Sequence, residues 1–342
     1  MGNMDEQNEK IKLNDITIGL KNIGESCYIN STIQCLSNSQ KLANFFLSQY
    51  QYDKNDNNKK VSNELYKLLK YLWDLSNNNK PFGPYDFKQI IGKENPMFKG
   101  LNDGDCKDFY IFLINKLHQE LNIIKNNINN DNEDKTNSYN DSNKVNNEKA
   151  YKSFEIYYKK NYNSIISELF YGIIEKKVKC KKCNDIQYSY EVFSNLEFLL
   201  DQINIYYRKN LDGIMNCDIN INECFDYYQR EELTIGKNKI YCNKCKSKDY
   251  SYVSLNLFSI PYYLVIILNR DKGNTYKCQV NFPEILDLSI FLNQKGPKDN
   301  LYNLYAVICH FGPDENSGHF FAYCRHRISN KWYLYNDSIV TE

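Results

Sequence analysis

The sequence predicts an α+β protein. Two observations carry that prediction: apolar residues recur at helical spacing through the first half, and from about residue 170 they give way to short Tyr-, Val-, Ile- and Phe-rich runs bounded by Asn, Gly, Asp and Pro. The first element is "IGESCYINSTIQCL" (23–36). Gly24 can bend the approach, Ser26 can cap the helix, and Ile29, Ile33 and Leu36 repeat behind Cys27. Next comes "VSNELYKLLKYLWDL", with Val61, Leu65, Leu68, Leu72 and Leu75 on one stripe. "CKDFYIFLINKLHQEL" follows, striped by Phe109, Leu113, Leu117 and Leu121. The strand-like runs are "YYLVIILNR", "LYAVICHFG", "HFFAYCRHR" and "KWYLYND", so a helical lobe precedes an antiparallel sheet.

Two segments interrupt these patterns. Residues 126–147 hold ten Asn in 22 positions and almost nothing apolar, a composition too poor in burial to offset ordering entropy. They are the heart of an expected disordered insertion spanning 122–150, and "QYDKNDNNKK" (51–60) reads as a smaller one.

With 342 residues the chain can bury a sizeable core, in one large domain or two smaller ones. Its 43 basic and 42 acidic residues give no field suited to nucleic acid or to an anionic membrane. The longest apolar run, "YYLVIIL" (262–268), is too short to span a bilayer. The polar start "MGNMDEQNEK" is unlike a secretory signal, and Glu6 stands where a myristoylation motif needs Ser or Thr. Twelve cysteines, four of them in CxxC pairs, suit a reducing compartment, cytosol or nucleus.

Those pairs, Cys180/Cys183 and Cys242/Cys245, suit tetrahedral Zn²⁺, each knuckle giving two thiolates from one tight turn. Four thiolates leave no open position for water, so the expected zinc is structural and no catalytic cofactor is implied. The long separation would tie two distant hairpins together, and Lys181, Lys182, Lys244 and Lys246 could offset thiolate charge. Redox dithiols are the competing reading, but no βαβ context supports them.

Cys27, at a helix N-terminus, would feel the positive end of the dipole, which favours the thiolate. A nucleophilic cysteine also needs a base and a group that holds the base in the right tautomer. Of four histidines, His118 reads as a helix residue, His326 as a solvated strand end and His310 as a satisfied strand residue. His319 remains, with Gly318 permitting a tight approach and a rigid aromatic strand behind it. Asn336 and Asp337 offer side-chain acceptors for its ring, and Asn22 an amide that could steady an oxyanion.

"GLKNIGESCYINSTIQCL" resembles the cysteine box of the ubiquitin-specific proteases, the papain-like cysteine deubiquitinases, and "SGHFFAYCRHRISNKWYLYNDSIV" resembles their histidine box. Between them, "FKGLNDGDCKDFYIFLINKLHQEL", "LFYGIIEKKVKCKKC", "IYCNKC" and "VNFPEILDLS" resemble further segments of that family in the family's order. The resemblance implies a right-hand architecture of helical thumb, zinc-bearing β fingers and β palm. A polar tail (1–16) would precede a catalytic domain (17–342), divided into thumb (17–169), fingers (170–260) and palm (261–342). It implies Cys27 as nucleophile, His319 as base, Asn336 as third triad member with Asp337 its acidic neighbour, and Asn22 at the oxyanion hole. Asp105 and Asp108 would meet the basic tail of ubiquitin. Strand alternation would point Asp337 to the face opposite Asn336, where it would support the polar network beside the oxyanion, while a twist or bulge at the strand end would instead bring its carboxylate to the ring.

Three departures stand out. "DGDCKD" has Asp103 and Gly104 where the family writes glutamines and Asp108 where Glu is usual, the insertion enlarges the thumb, and the closing aromatic-rich palm segment is expected to be missing after the histidine box. The expected function is thiol hydrolysis at the C-terminal glycine of ubiquitin by a monomer whose partners are ubiquitin and ubiquitinated proteins, not nucleic acid or membrane. The alternatives are a ubiquitin-binding pseudo-enzyme and a protease for another ubiquitin-like modifier.

Overall fold

A computed structural model describes residues 16–101, 104–124, 147–208, 218–270, 277–292, 300–314 and 317–342. By contact the chain divides into two units, Met1–Leu121 with Tyr305–Glu342, and Asn122–Leu304. Most of the Asn-rich insertion, and Asp103, lie outside the described residues.

The first unit opens with an extended segment in which Ile16, Ile18 and Leu20 are buried at alternate positions. Helix α1 (Cys27–Ser37) follows, then α2 (Gln40–Asn44) with a π-helical turn at Phe45–Gln49, α3 (Lys60–Leu72), α4 (Tyr85–Glu94) and α5 (Cys106–Leu121). Helix α5 spans the stretch its stripe predicts. Helix α3 stops at Leu72, and Leu75, expected on its stripe, begins a separate 3₁₀ turn and is exposed. The 51–60 segment is ordered: Asp53 and Asp56 accept hydrogen bonds from the Asn55 and Asn58 amides, forming local turns.

Helix α1 is not a one-faced surface helix. Every residue of it except Cys35 is buried, polar ones included, so its polar groups must be paired inside. Thr32 donates to the Tyr28 carbonyl and Gln34 to the Ile18 carbonyl of the extended segment.

The second unit begins with α6 (Asn147–Asn161), which starts inside the stretch that composition assigns to the insertion, and α7 (Ile165–Phe170). Strands β1 (Gly172–Cys180), β2 (Ile186–Phe193) and β3 (Leu196–Leu199) lead to α8 (Leu200–Arg208), β4 (Ile219–Asn220) and α9 (Ile221–Gln229). Then come β5 (Glu232–Leu233), β6 (Ile240–Cys242), β7 (Ser247–Asp249), β8 (Ser251–Ser259), β9 (Ile266–Asn269), β10 (Val280–Asn281), β11 (Ile285–Asp287) and β12 (Leu301–Asn303). The main sheet is antiparallel in the order β2-β1-β8-β5, while β6 and β7 form a separate hairpin. Its core gathers Leu196, Phe198, Ile203, Phe225 and Leu257.

The chain then re-enters the first unit as β13 (Ala306–Asp314), β14 (Ser317–Arg325), β15 (Trp332–Asn336) and β16 (Ile339–Thr341), an antiparallel sheet in that order. Ala322, Cys324, Tyr333 and Tyr335 form its buried face, against which Cys35 of α1 packs. No helix among the described residues is long and apolar enough to cross a membrane.

Candidate active site

The approach to α1 is a tight turn with Gly24 at φ 91° and Glu25 at φ 43°, so the glycine supplies a left-handed conformation. Ser26 occupies the N-cap position, but its side chain makes no cap hydrogen bond. Its hydroxyl instead accepts from the Ile23 amide (2.9 Å), and its own N–H donates to Asn22 Oδ1 (3.1 Å). Ser26 therefore organises Asn22 rather than the helix end.

Cys27 opens α1 and is buried. Burial pushes its thiol up from the ordinary value, opposite to the direction that a helix N-terminus alone predicts. Asp337 and Glu25 add to the rise, while the backbone N–H groups of Phe320 and Tyr28 oppose it. The Phe320 contact places the sulfur beside β14, next in sequence to His319.

Gly318 has no room for a side chain: a Cβ there would lie 2.1 Å from His310 Nε2. His319 Nε2 lies 2.6 Å from Asn336 Oδ1, so the ring donates to the amide oxygen through Nε2. Nδ1 is then the nitrogen left for a thiol. Asp337 is not on the strand's opposite face as alternation predicts. It heads the two-residue hairpin turn between Asn336 and Ile339, with φ 50°, and that left-handed conformation swings the carboxylate back toward the ring. Asp337 Oδ2 lies 3.8 Å from His319 Nε2 and accepts from Asn22 Nδ2 at 3.1 Å. Oδ1 accepts from Asn30 Nδ2 at 2.7 Å.

Asn30 is a residue that sequence reasoning misses. One turn after Cys27, it also donates to the Leu20 and Lys21 carbonyls, tying α1, the extended segment and the Asp337 turn together. The signal available was a polar side chain between Ile29 and Ile33. Gly19 allows the same closure, since a Cβ there would meet the Ser338 carbonyl at 2.6 Å. Leu20 N donates to the Asp337 carbonyl at 2.9 Å. An open depression of about 580 Å³, lined by Lys21, Asn22, Pro81 and Asn336 to Ile339, lies beside these groups.

His326 and His310 are engaged elsewhere in the fold. His326, expected to be solvated, is fully buried: its Nδ1 accepts from the Ser329 amide, so Nε2 carries the proton and donates to the Ile16 carbonyl. His310 packs on Phe320. Asp105 stands at the N-terminus of α5, its Oδ1 accepting from the Lys107 amide at 2.6 Å, whereas Asp108 is half-buried with no hydrogen bond or ion pair among the described residues. Gly104 lies against the Tyr28 ring, which a Cβ would approach to 2.5 Å.

In the second unit, Cys180, Cys183, Cys242 and Cys245 bring their sulfurs within 4.8 Å of one another. The two knuckles are built alike. Asn184 and Lys246, each just after the second cysteine, are left-handed (φ 56° and 54°), and their amides donate back to the Cys180 and Cys242 carbonyls. The Cys180–Cys245 and Cys183–Cys242 separations are 3.9 and 3.6 Å. A tetrahedron with Zn–S bonds of about 2.3 Å has edges of about 3.8 Å, so the four sulfurs fit the ion.

A cysteine at a helix N-terminus, its sulfur meeting the amide next to a histidine that an asparagine holds on an antiparallel sheet, fits the fold of a papain-like cysteine peptidase. The chain belongs to the ubiquitin carboxyl-terminal hydrolase family, whose model matches residues 18–342. It is 29% identical over 331 residues to the ubiquitin carboxyl-terminal hydrolase Usp2 of Drosophila melanogaster, covering 95% of this chain and 32% of the relative. It is 30% identical to ubiquitin carboxyl-terminal hydrolase 2 of Gallus gallus, covering 94% of this chain and 87% of the relative. The fold matches a solved structure of the SAGA DUB module Ubp8/Sgf11/Sus1/Sgf73 bound to monoubiquitin, with a TM-score of 0.70, 20% identity and coverage of 96% of this chain and 66% of that one. The chain spans between about a third and about half of the length of the first curated relatives it matches.

Proposed function

We propose that the chain is a deubiquitinating thiol hydrolase that cleaves isopeptide or peptide bonds at the C-terminal glycine of ubiquitin. The observation that carries this reading is the His319–Asn336 contact through Nε2, which leaves Nδ1 for the Cys27 thiol beside the Phe320 amide. Cys27 attacks the terminal carbonyl as thiolate and His319 gives a proton to the leaving amine. Asn22 and the Cys27 backbone N–H hold the oxyanion. Water activated by His319 then releases the thioester. Asn22 suits this role because Asp337 and Ser26 already fix its amide from two sides.

The relatives named ubiquitin carboxyl-terminal hydrolases support the activity, and the fold neighbour bound to monoubiquitin supports ubiquitin as partner. Asp105 and Asp108 are the acids offered to the arginines of ubiquitin's tail, and Asp105 does so while capping α5. Cys180, Cys183, Cys242 and Cys245 would hold one structural zinc, which supplies a fixed joint between two hairpins and takes no part in bond cleavage. The chain acts as a monomer in cytosol or nucleus, in keeping with its thiol-rich composition.

The test is the purified chain challenged with ubiquitin carrying a C-terminal thiol-reactive electrophile, and with a ubiquitin C-terminal amide. Wild type labels and turns over; Cys27→Ala does neither but still binds ubiquitin. A wild-type chain that binds ubiquitin yet neither labels nor turns over makes it a binding module, and labelling only by another modifier's electrophile reassigns the substrate.

A further inference from the structure

Burial leaves Cys27 with a thiol harder to ionise than a free one, and two carboxylates, Asp337 and Glu25, push it the same way. A nucleophile so placed needs positive charge nearby. Lys88 of α4 is buried, unusual for a lysine, and its Nζ donates to the carbonyl of Gly24, in the turn that delivers Cys27. Among the described residues no carboxylate lies within ion-pair distance of it. Sinking an ammonium whose hydrogen-bond partner is a carbonyl, with the Glu25 carboxylate acting only from beyond ion-pair distance, is costly, so its location calls for a gain elsewhere.

We propose, resting on the hydrolase reading, that Lys88 is a positioning residue for the nucleophile: it pins the left-handed Gly24–Glu25 turn through the Gly24 carbonyl and sets a fixed positive charge within electrostatic reach of Cys27. The pinned turn is the one that sets Asn22 and the Cys27 N–H, so the same lysine holds both halves of the oxyanion site. Burial pulls the ammonium down from the ordinary lysine value, while Glu25 and then Cys27 pull it back up. The charged and titratable groups acting on Cys27 are Glu25 in the turn, Asp337 beyond β15, Cys106 of α5 and Lys88 of α4, and the His319 imidazole precedes Phe320, whose amide the sulfur meets. Apart from that imidazole, Lys88 is the basic member of the set.

Iodoacetamide alkylation of Cys27, followed peptide by peptide by mass spectrometry across pH in the full chain, reads the thiolate without ubiquitin. Lys88→Met is expected to move the Cys27 midpoint up by about one pH unit, the lower end for loss of a nearby charge. The value of kcat/KM for a ubiquitin amide then falls about tenfold near neutral pH with little change in KM. Lys88→Arg restores the midpoint. Lys88→Gln, which keeps a donor and removes the charge, behaves like Lys88→Met and serves if that variant does not fold. A folded neutral variant with an unmoved midpoint overturns the proposal. If neither neutral variant folds, a wild-type Cys27 midpoint no lower than that of half-buried Cys309 overturns it. A Lys88-dependent Cys27 in a chain that does not cleave ubiquitin overturns the hydrolase reading alone.

Discussion

Asn336 and Asp337 are adjacent in sequence but reach His319 from different backbone conformations. Asn336 extends from a strand and accepts the ring proton at 2.6 Å; Asp337 turns back from a left-handed position, stays 3.8 Å from the ring and holds Asn22 and Asn30. Removing Asn336 takes away the tautomer lock alone, so Asn336→Ala is expected to lower kcat about 10- to 100-fold with folding intact. Asp337→Ala strips the acceptor from two amides and puts alanine at a positive φ, so it should cost stability as well, about 1–3 kcal/mol. Steady-state kinetics with urea titrations of both variants separates the roles: a larger kcat loss in a fully stable Asp337→Ala would make Asp337 the ring's partner. His319 stood out in the sequence by elimination, and the resemblance to the family's histidine box implied Asn336. Which way the Asp337 carboxylate swings could not be read, because strand alternation stops where a turn begins and only φ decides it. Nor could the burial of His326 be read, since two flanking arginines suggest solvent while its pairing depends on Ile16, far away in sequence.

Elements defined by local pattern were legible, and those defined by tertiary burial were less so. Helix α5 follows its stripe from end to end, whereas α8 and α9 lie in a half that reads as strand, because their Tyr-rich composition hides the helical period. Helix α1 is recognisable, yet its polar residues look like a solvent face until the extended segment is laid against them. The four-cysteine cluster was fully legible, because a CxxC knuckle is a local structure whose geometry the spacing dictates. Without metal, the backbone N–H of Asp185 draws Cys183 down to about 7, while Cys183 and the other sulfurs push Cys245 up to about 12. Sulfurs this close resist losing all four protons on their own, and a divalent ion that displaces those protons takes up the thiolate charge. Metal analysis should find one zinc per chain, and Cys183→Ser or exhaustive chelation should lower Tm by about 10 °C or more, since several kcal/mol of metal binding would be lost. Cys27, in the other unit, should alkylate as before. Well-folded protein without zinc would remove the ion from this account.

The whole molecule carries thirty tyrosines, and their burial sets its response to alkali. Tyr50, Tyr162, Tyr171, Tyr190, Tyr302 and Tyr335 are all pushed up, chiefly by burial, and Tyr228 is raised to about 12. Cys106 and Cys324, fully enclosed, are pushed well above 9.0. Each of these groups keeps its proton in the fold at a pH where the unfolded chain releases it. The resulting stability is complete below the unfolded values, 9.0 for the thiols and 10.0 for the phenols, and is lost as pH rises through the folded ones. Every such proton steepens the loss by about 1.4 kcal/mol per pH unit. On the acid side the burial of His118 lowers its value, so that contribution is present above 6.5 and lost as pH falls through the folded value. At lower pH the exposed Asp74 and Asp287, held below the ordinary aspartate value by hydrogen bonds from Ser76 and Ser289, act in the same sense, against many phenols and thiols on the alkaline side. Thermal scans should therefore show a Tm nearly level from neutral pH to about pH 9, then a fall that steepens with each further step. Tyrosinate absorbance should rise together with the loss of helical circular dichroism. Tyrosines that titrate completely while the dichroism stays native would show that their burial does not hold the fold, and would place the alkaline limit elsewhere.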